Sequence, residues 1–401
     1  MQHRATKISE HRRRPENNQL SNSRSDRRRY FRYRTVGHFI FLFFLLAYSF
    51  SSSATVNLHH SQISTRIGDK AVTSALIDTN GYLWIGTQRG LYFFNGAESK
   101  FFSTRNIGQF GIPASDIRGI SEYIDGRIVL ATYGAGLAIS NENQDHFFSV
   151  SDKGKENTAY LTELHNGRGR GIWATTNSEL LYKNDLSIVF ERLKETIPEI
   201  KDPQGPWVLT DQEGGELLVS AGSEIWALEE DSLKIRGIFS SNLHGMISAV
   251  LDKNKFIFVG TDKGQVVIIN KNSGEIAASK ILDSNHQTTI TAMLEYDGYL
   301  WIGTNRGIFT LTEDLKIDNF MSSENSILPN DHITLLKVIN EELLIGTYSG
   351  LVHATPSTFE LFNQHNSEVY NDIMCFLEDD KNNLWVGTFN GIYMLEGNST
   401  K

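Results

Sequence analysis

The chain is 401 residues long with a formal charge of −9, and its single cysteine, Cys375, leaves no internal disulfide to form. The charge is unevenly placed: residues 1–35 hold ten Arg and one Lys against Glu10, Glu16 and Asp26, so the remainder is strongly acidic. An acidic body argues against DNA or RNA as its partner, and a core this large needs no covalent staples even in an oxidising compartment.

In chain order, the basic segment leads into Gly37-His38-Phe39-Ile40-Phe41-Leu42-Phe43-Phe44-Leu45-Leu46-Ala47-Tyr48-Ser49-Phe50, followed by Ser51-Ser52-Ser53-Ala54. A basic n-region, a short apolar run and a small-residue site have the organisation of a secretory signal. The apolar run is short against the roughly 20 residues of a spanning helix. The length of the basic part makes an uncleaved signal anchor the alternative. Either reading leaves the basic end in the cytoplasm and the rest outside. Residues 1–54 are therefore expected to be a signal peptide or anchor, and residues 55–401 a single periplasmic or extracellular domain.

From residue 72 onward one phrase recurs. Trp84-Ile85-Gly86-Thr87-Gln88-Arg89-Gly90-Leu91 returns as Trp301-Ile302-Gly303-Thr304-Asn305-Arg306-Gly307-Ile308 and as Trp385-Val386-Gly387-Thr388-Phe389-Asn390-Gly391-Ile392. Copies without the Trp begin at Phe258 and Leu344, and degraded copies fall around Thr132, Thr176 and Ala221. The threonine slot repeats every 40 to 45 residues, eight times in all. A β-type unit at that period is the signature of a propeller. The apolar pair fits a strand buried on both faces. The first Gly removes a side chain where a neighbouring blade approaches. The polar pair and second Gly make a tight turn in which a positive φ is cheap.

Each repeat reads as four strands. In the sixth, residues 290–296 lead through Asp297-Gly298, a strong hairpin signal, to residues 299–304, 308–311 and 316–320. Turn-rich crossings such as Ile327-Leu328-Pro329-Asn330-Asp331 join one repeat to the next. The eighth repeat has no fourth strand, and residues 56–63 belong to no repeat. The expectation is therefore an all-β propeller of eight four-stranded blades, closed by pairing residues 56–63 with residues 391–395, which would remove an open edge. Seven blades is the alternative. A helical turn is expected only near residues 193–200. Cys375 reads as a small buried hydrophobe.

The phrase Gly81-Tyr82-Leu83-Trp84-Ile85-Gly86-Thr87-Gln88-Arg89-Gly90-Leu91, with Asn383-Leu384-Trp385-Val386-Gly387-Thr388 and the crossing Leu328-Pro329-Asn330-Asp331-His332-Ile333, resembles the two-component-regulator propeller repeat. The resemblance implies the periplasmic sensor of hybrid histidine kinases and diguanylate cyclases. Members of that family commonly carry more repeats, then a sandwich domain, a spanning helix and an output domain, so the resemblance implies a sensing module and lends this chain no kinase or cyclase activity. A membrane-bound kinase or cyclase is the expected partner, and an exported scaffold for protein partners is the alternative.

Chemistry-bearing constellations are sparse. Asp78-Thr79-Asn80-Gly81 begins like a calcium loop but lacks the later bidentate Glu, and a hairpin turn accounts for it. His59-His60 lacks metal-ligand spacing. No nucleophile elbow or phosphate loop is present. The expectation is a binding protein without catalytic residues, metal or cofactor. Turn residues that vary while the scaffold repeats are Arg89, Tyr133, Lys263, Arg306, Tyr348 and Phe389. Aromatic and basic groups on one rim would suit a sugar-like or anionic small ligand.

Overall fold

Turn chemistry sets the strands of each repeat. Asp297 and Gly298 both take positive φ, at 52° and 78°, the geometry of a two-residue hairpin whose twist matches its strands. They join Ile290–Tyr296 to Tyr299–Thr304, and Gly307–Leu311 and Ile317–Met321 complete an antiparallel sheet. Leu300 to Thr304 are all buried, as a strand covered on both faces requires. The computed structural model describes residues 55–395 apart from 107–109, 151–155, 167–170, 184–190, 193–205, 212–215, 230–233, 241–242, 286, 358–372, 379–383 and 389–390. The helical turn expected near 193–200 and the apolar run at 37–50 lie outside the described residues. Among the described residues no helix is long and apolar enough to cross a membrane.

Within residues Ala54–Asp372, one compact unit, the described residues form seven four-stranded sheets. Their first strands are Val72–Ile77, Ile117–Glu122, Glu163–Asn166, Trp207–Asp211, Ile247–Lys253, Ile290–Tyr296 and Ile333–Ile339. Each first strand packs against the first strand of the next sheet, so these strands surround the axis. The fold is the expected all-β propeller, but with seven blades where eight were expected.

The misassigned piece is the N-terminal strand. Thr55–His59 pairs antiparallel with Gly350–Ser357 of blade seven, Thr55 opposite Ser357 and His59 opposite His353, and not with Gly391–Leu395. It supplies the fourth strand of blade seven, whose own sequence provides three. Residues beyond His59 leave the sheet: Ser61 caps the short helix Gln62–Ile67, with its hydroxyl and that of Ser64 bonding each other's backbone N–H, and that helix was not foreseen. The eighth repeat, Ile373–Leu395, forms a three-stranded sheet in a separate compact unit. Its Cys375 is exposed rather than buried, as are Leu377 and Ile392 on the same face.

Three devices join neighbouring blades. A Cβ built on Gly86, Gly260 or Gly303 would lie 2.9, 2.6 and 2.6 Å from Cγ2 of Ile117, Ile290 and Ile333 of the following blade. The expected reason for these glycines therefore holds: another residue cannot pass there. The second device is a hydroxyl at a bulge in the first strand. Ser248 Oγ donates to the carbonyl of Ile290 at 2.6 Å, and Thr291 Oγ1 to that of Ile333 at 2.7 Å. Thr73 donates likewise to Ile117, and Thr334 of blade seven to Val72 of blade one. Lys337 Nζ adds a bond to the carbonyl of Ala75 at 2.7 Å, and the seam between the last and first blades carries the same hydroxyl contact as those between blades one and two, five and six, and six and seven. The third device is the buried Trp. Trp84 is held in its own blade by its indole N–H on Asp78 Oδ2 at 2.9 Å and by Phe93, and it meets Phe147 of blade two edge-on with ring centroids 6.1 Å apart. Asp78 also accepts from the backbone of Asn80 and Tyr82. It organises a turn, as expected.

Candidate functional site

The threonine of the repeat builds the turn that carries the variable residues. Thr304 is fully buried; its hydroxyl donates to the carbonyl of Gly307 at 2.7 Å and accepts from the backbone N–H of Arg306 at 3.0 Å. Thr87 does the same with Gly90 and Arg89, and Thr347 with Gly350 and Ser349. Gly350, at φ 130°, leaves room for a Cβ only 2.7 Å from the carbonyl of Gly68; a side chain would be strained in both conformation and space.

The residue just after each threonine bonds back to the crossing that enters its blade. Tyr133 N–H donates to Asp116 at 2.8 Å, Asn305 to Thr289 at 3.1 Å and Tyr348 to His332 at 3.1 Å. Turns and crossings therefore share one end of the blades, and together they form a rim around the axis.

Arg89, Tyr133, Lys263, Arg306 and Tyr348 lie on that rim, exposed, in blades one, two, five, six and seven. Phe389 lies outside the described residues. The set divides into two positions. Tyr133 and Tyr348 follow the threonine directly and meet the crossings. Tyr348 stacks on the His332 ring at 3.9 Å, and burial pushes that imidazole below its ordinary pKa, favouring the neutral ring. Tyr133 packs edge-on against Tyr160 at 5.0 Å and lies under the guanidinium of Arg118 at 5.3 Å; Arg118 also pairs with Asp116 at 2.7 Å. Arg89, Lys263 and Arg306 stand one residue further along the turn. Arg306 reaches Asp283 of the preceding crossing at 3.2 Å. That carboxyl is held below its ordinary pKa, first by the backbone N–H of Asn285, with Arg306 a smaller contribution. The rim thus carries both aromatic and cationic groups, and Tyr348 and Arg306 are engaged by the crossings that enter their blades.

A second concave feature lies at the opposite ends of blades five and six and was not foreseen. A cleft of about 710 Å³ is lined by Phe256, Phe258, Ile268, Ala278, Leu300 and Leu315, with Lys253, Lys255, Glu295 and Glu313 at its polar positions. Its cause is legible by position. Where blade one stacks Trp84 on Phe93 and covers Phe93 with Lys100, blade five has Phe258, Ile268 and Ala278 in the same registers. Three smaller side chains leave the volume. Lys253 pairs with Glu295 across the two blades.

Several solved structures share this fold. The extracellular domain of the hybrid two component system BT3049 of B. thetaiotaomicron superposes with a TM-score of 0.63 at 19% identity, covering 85% of this chain and 53% of that one. The extracellular domain of the hybrid two component system BT4673 of the same organism gives 0.59 at 17%, covering 85% and 46%. The WD40 propeller of Doa1 gives 0.53 at 8%, covering 75% and 95%. The chain spans about half the length of the two extracellular domains, and at these identities the likeness is one of fold. No curated protein matches the sequence. The sequence pattern of the two component regulator propeller matches residues 66–89 and 367–390, the same phrase in the first and eighth repeats. The chain is a propeller by fold, and two of its segments match the two component regulator propeller repeat.

Proposed function

We propose that this chain is the exported sensing module of a two-component signalling protein, and that a sugar-like or anionic small ligand binds the rim of turns and crossings. The observation that supports this most directly is the rim itself: a repeated scaffold presents an exposed aromatic or cation on blades one, two, five, six and seven. Stacking on Tyr133 and Tyr348 and pairing with Arg89, Lys263 and Arg306 suit a polar ring or a carboxylate. A ligand touching several blades would favour one relative packing of them, and only such differential binding transmits a signal. The basic and apolar N-terminal segment supports export, and a membrane-bound kinase or cyclase would carry the output. No residue on the rim suggests catalysis.

The test is a thermal-shift screen of sugars, sugar acids and small anions, with every hit repeated on Arg89→Ala and Arg306→Ala. Stabilisation that weakens in either variant supports the rim. A ligand bound equally by both variants refutes it. A second reading, an exported scaffold for protein partners, is favoured by the exposed apolar face of the 373–395 sheet, where Leu377 is 68% and Ile392 75% exposed; a screen without hits moves the assignment there.

A further inference from the structure

The strand pairing that completes blade seven brings together three metal-ligating side chains that are far apart in sequence. His59 of the N-terminal strand lies opposite His353 in register, and His353 lies opposite Leu344. Glu342 is two residues before Leu344, so all three side chains leave the same face of the sheet. Glu342 Oε2 is 3.0 Å from His353 Nδ1, the two imidazole centroids are 5.6 Å apart, and one ligand atom from each residue falls within 4.8 Å of the others.

We propose that His59, Glu342 and His353 form a zinc-type metal site that clasps the N-terminal strand to blade seven. Two imidazoles and one carboxylate are a zinc donor set, and a fourth position remains for water. Zinc bonds of about 2.0–2.2 Å place tetrahedral ligands roughly 3.4 Å apart; the Glu342–His353 pair is near that spacing, and rotation of the half-buried His59 ring closes the rest. Ser61 Oγ lies 2.8 Å from His353 Nε2 and is fixed as the cap of the helix Gln62–Ile67. It is the outer partner that would orient the ring: with Nδ1 on the metal, Nε2 carries the proton and donates to Ser61. A single carboxylate serves calcium or magnesium poorly, since both require mainly oxygen ligands. A metal here ties the first strand of the unit to the last blade, so it opposes opening of the ring at its seam. This inference is independent of any ligand on the rim.

The experiment is a calorimetric titration of the full chain, stripped with a chelator, with zinc chloride, and with cobalt(II) followed by its visible absorption. Wild type is expected to bind one zinc with saturation and to melt higher with zinc than without. His59→Ala and Glu342→Gln, both outside the buried core, should weaken that binding by roughly tenfold or more and abolish the thermal shift and the cobalt spectrum. The chain holds 12 His, so His60→Ala, the adjacent exposed imidazole, is the control and should behave as wild type. Absence of saturable zinc binding, unchanged binding in His59→Ala, or an equal shift with calcium would overturn the proposal.

Discussion

Gly303 and Gly387 hold the same slot of their repeats, yet an added methyl group would meet different neighbours. At Gly303 it would lie 2.6 Å from Ile333 Cγ2 and 3.0 Å from Ile333 Cβ, both of the next blade. At Gly387 it would meet Cys375 Sγ of its own sheet at 2.7 Å, on an exposed side chain. Gly303→Ala should therefore cost about 1–3 kcal/mol in a denaturant titration, while Gly387→Ala and Arg306→Ala leave the main transition within about 0.5 kcal/mol. Equal midpoints for Gly303→Ala and Arg306→Ala would contradict this. Glu163 carries a pH dependence. Desolvation raises its carboxyl from 4.5 to about 7, despite a bond from the backbone N–H of Leu209. The folded state keeps the proton after the unfolded chain has lost it, so stability falls as pH rises from 4.5 to about 7 and is flat above. Because Glu163 is half-buried, screening keeps the effect to about 1 kcal/mol. Glu163→Gln should flatten stability across that window; an unchanged slope would show that other groups set it.

At the scale of the element, bulge hydroxyls bond one blade to the next at four of the seven seams. Thr334→Val leaves the carbonyl of Val72 without its donor, and Thr291→Val does the same to Ile333. Each should cost about 1–2 kcal/mol. Similar losses in thermal unfolding would show that the seam between blades seven and one resembles any other; a negligible loss at Thr334 would separate it. The same residues show how far the sequence could be read. Strand positions, the hairpin at Asp297-Gly298 and the packing role of the glycines all follow from local chemistry, because turn residues and alternation act over a few positions. The partner of the N-terminal strand does not, because antiparallel pairing is chosen by which edge lies near, a long-range fact. The bulge slot gives no local signal either: it holds Thr73, Ser248, Thr291 and Thr334, but Arg118 in the second repeat and Met374 in the eighth. The placement of Arg89, Tyr133, Lys263, Arg306 and Tyr348 on the turns follows for the same local reason, since each stands one or two residues after its threonine. The cleft at blades five and six and the His59–Glu342–His353 group do not. The first depends on three substitutions seen only in register, the second on a pairing 294 residues apart.

For the whole molecule, the consequence is that two truncations at opposite ends should behave unlike one another. Blade seven owns three strands from its own repeat and takes its fourth from Thr55–His59. Deleting residues 55–61 removes that strand and Ser61, leaves Gly350–Ser357 as an unpaired edge, and uncovers the cluster in which Leu58 packs with Val352 and Ala354. Because the lost pairing joins the start of the unit to its end, the loosened blade is also one side of the seam with blade one. Deleting residues 373–401 removes no strand from any of the seven sheets and no bulge partner of blade seven, whose hydroxyl is already bonded to Val72. The first truncation should therefore lower the melting temperature of the main transition by several degrees, since roughly 1 kcal/mol moves a domain of about 300 residues by about 1–2 °C and a whole strand is lost, and the second should leave it in place. An eight-bladed ring predicts comparable damage from both, because each would remove part of the same closing blade. If loss of 373–401 lowers the transition as far as loss of 55–61 does, the seven-bladed assignment is wrong.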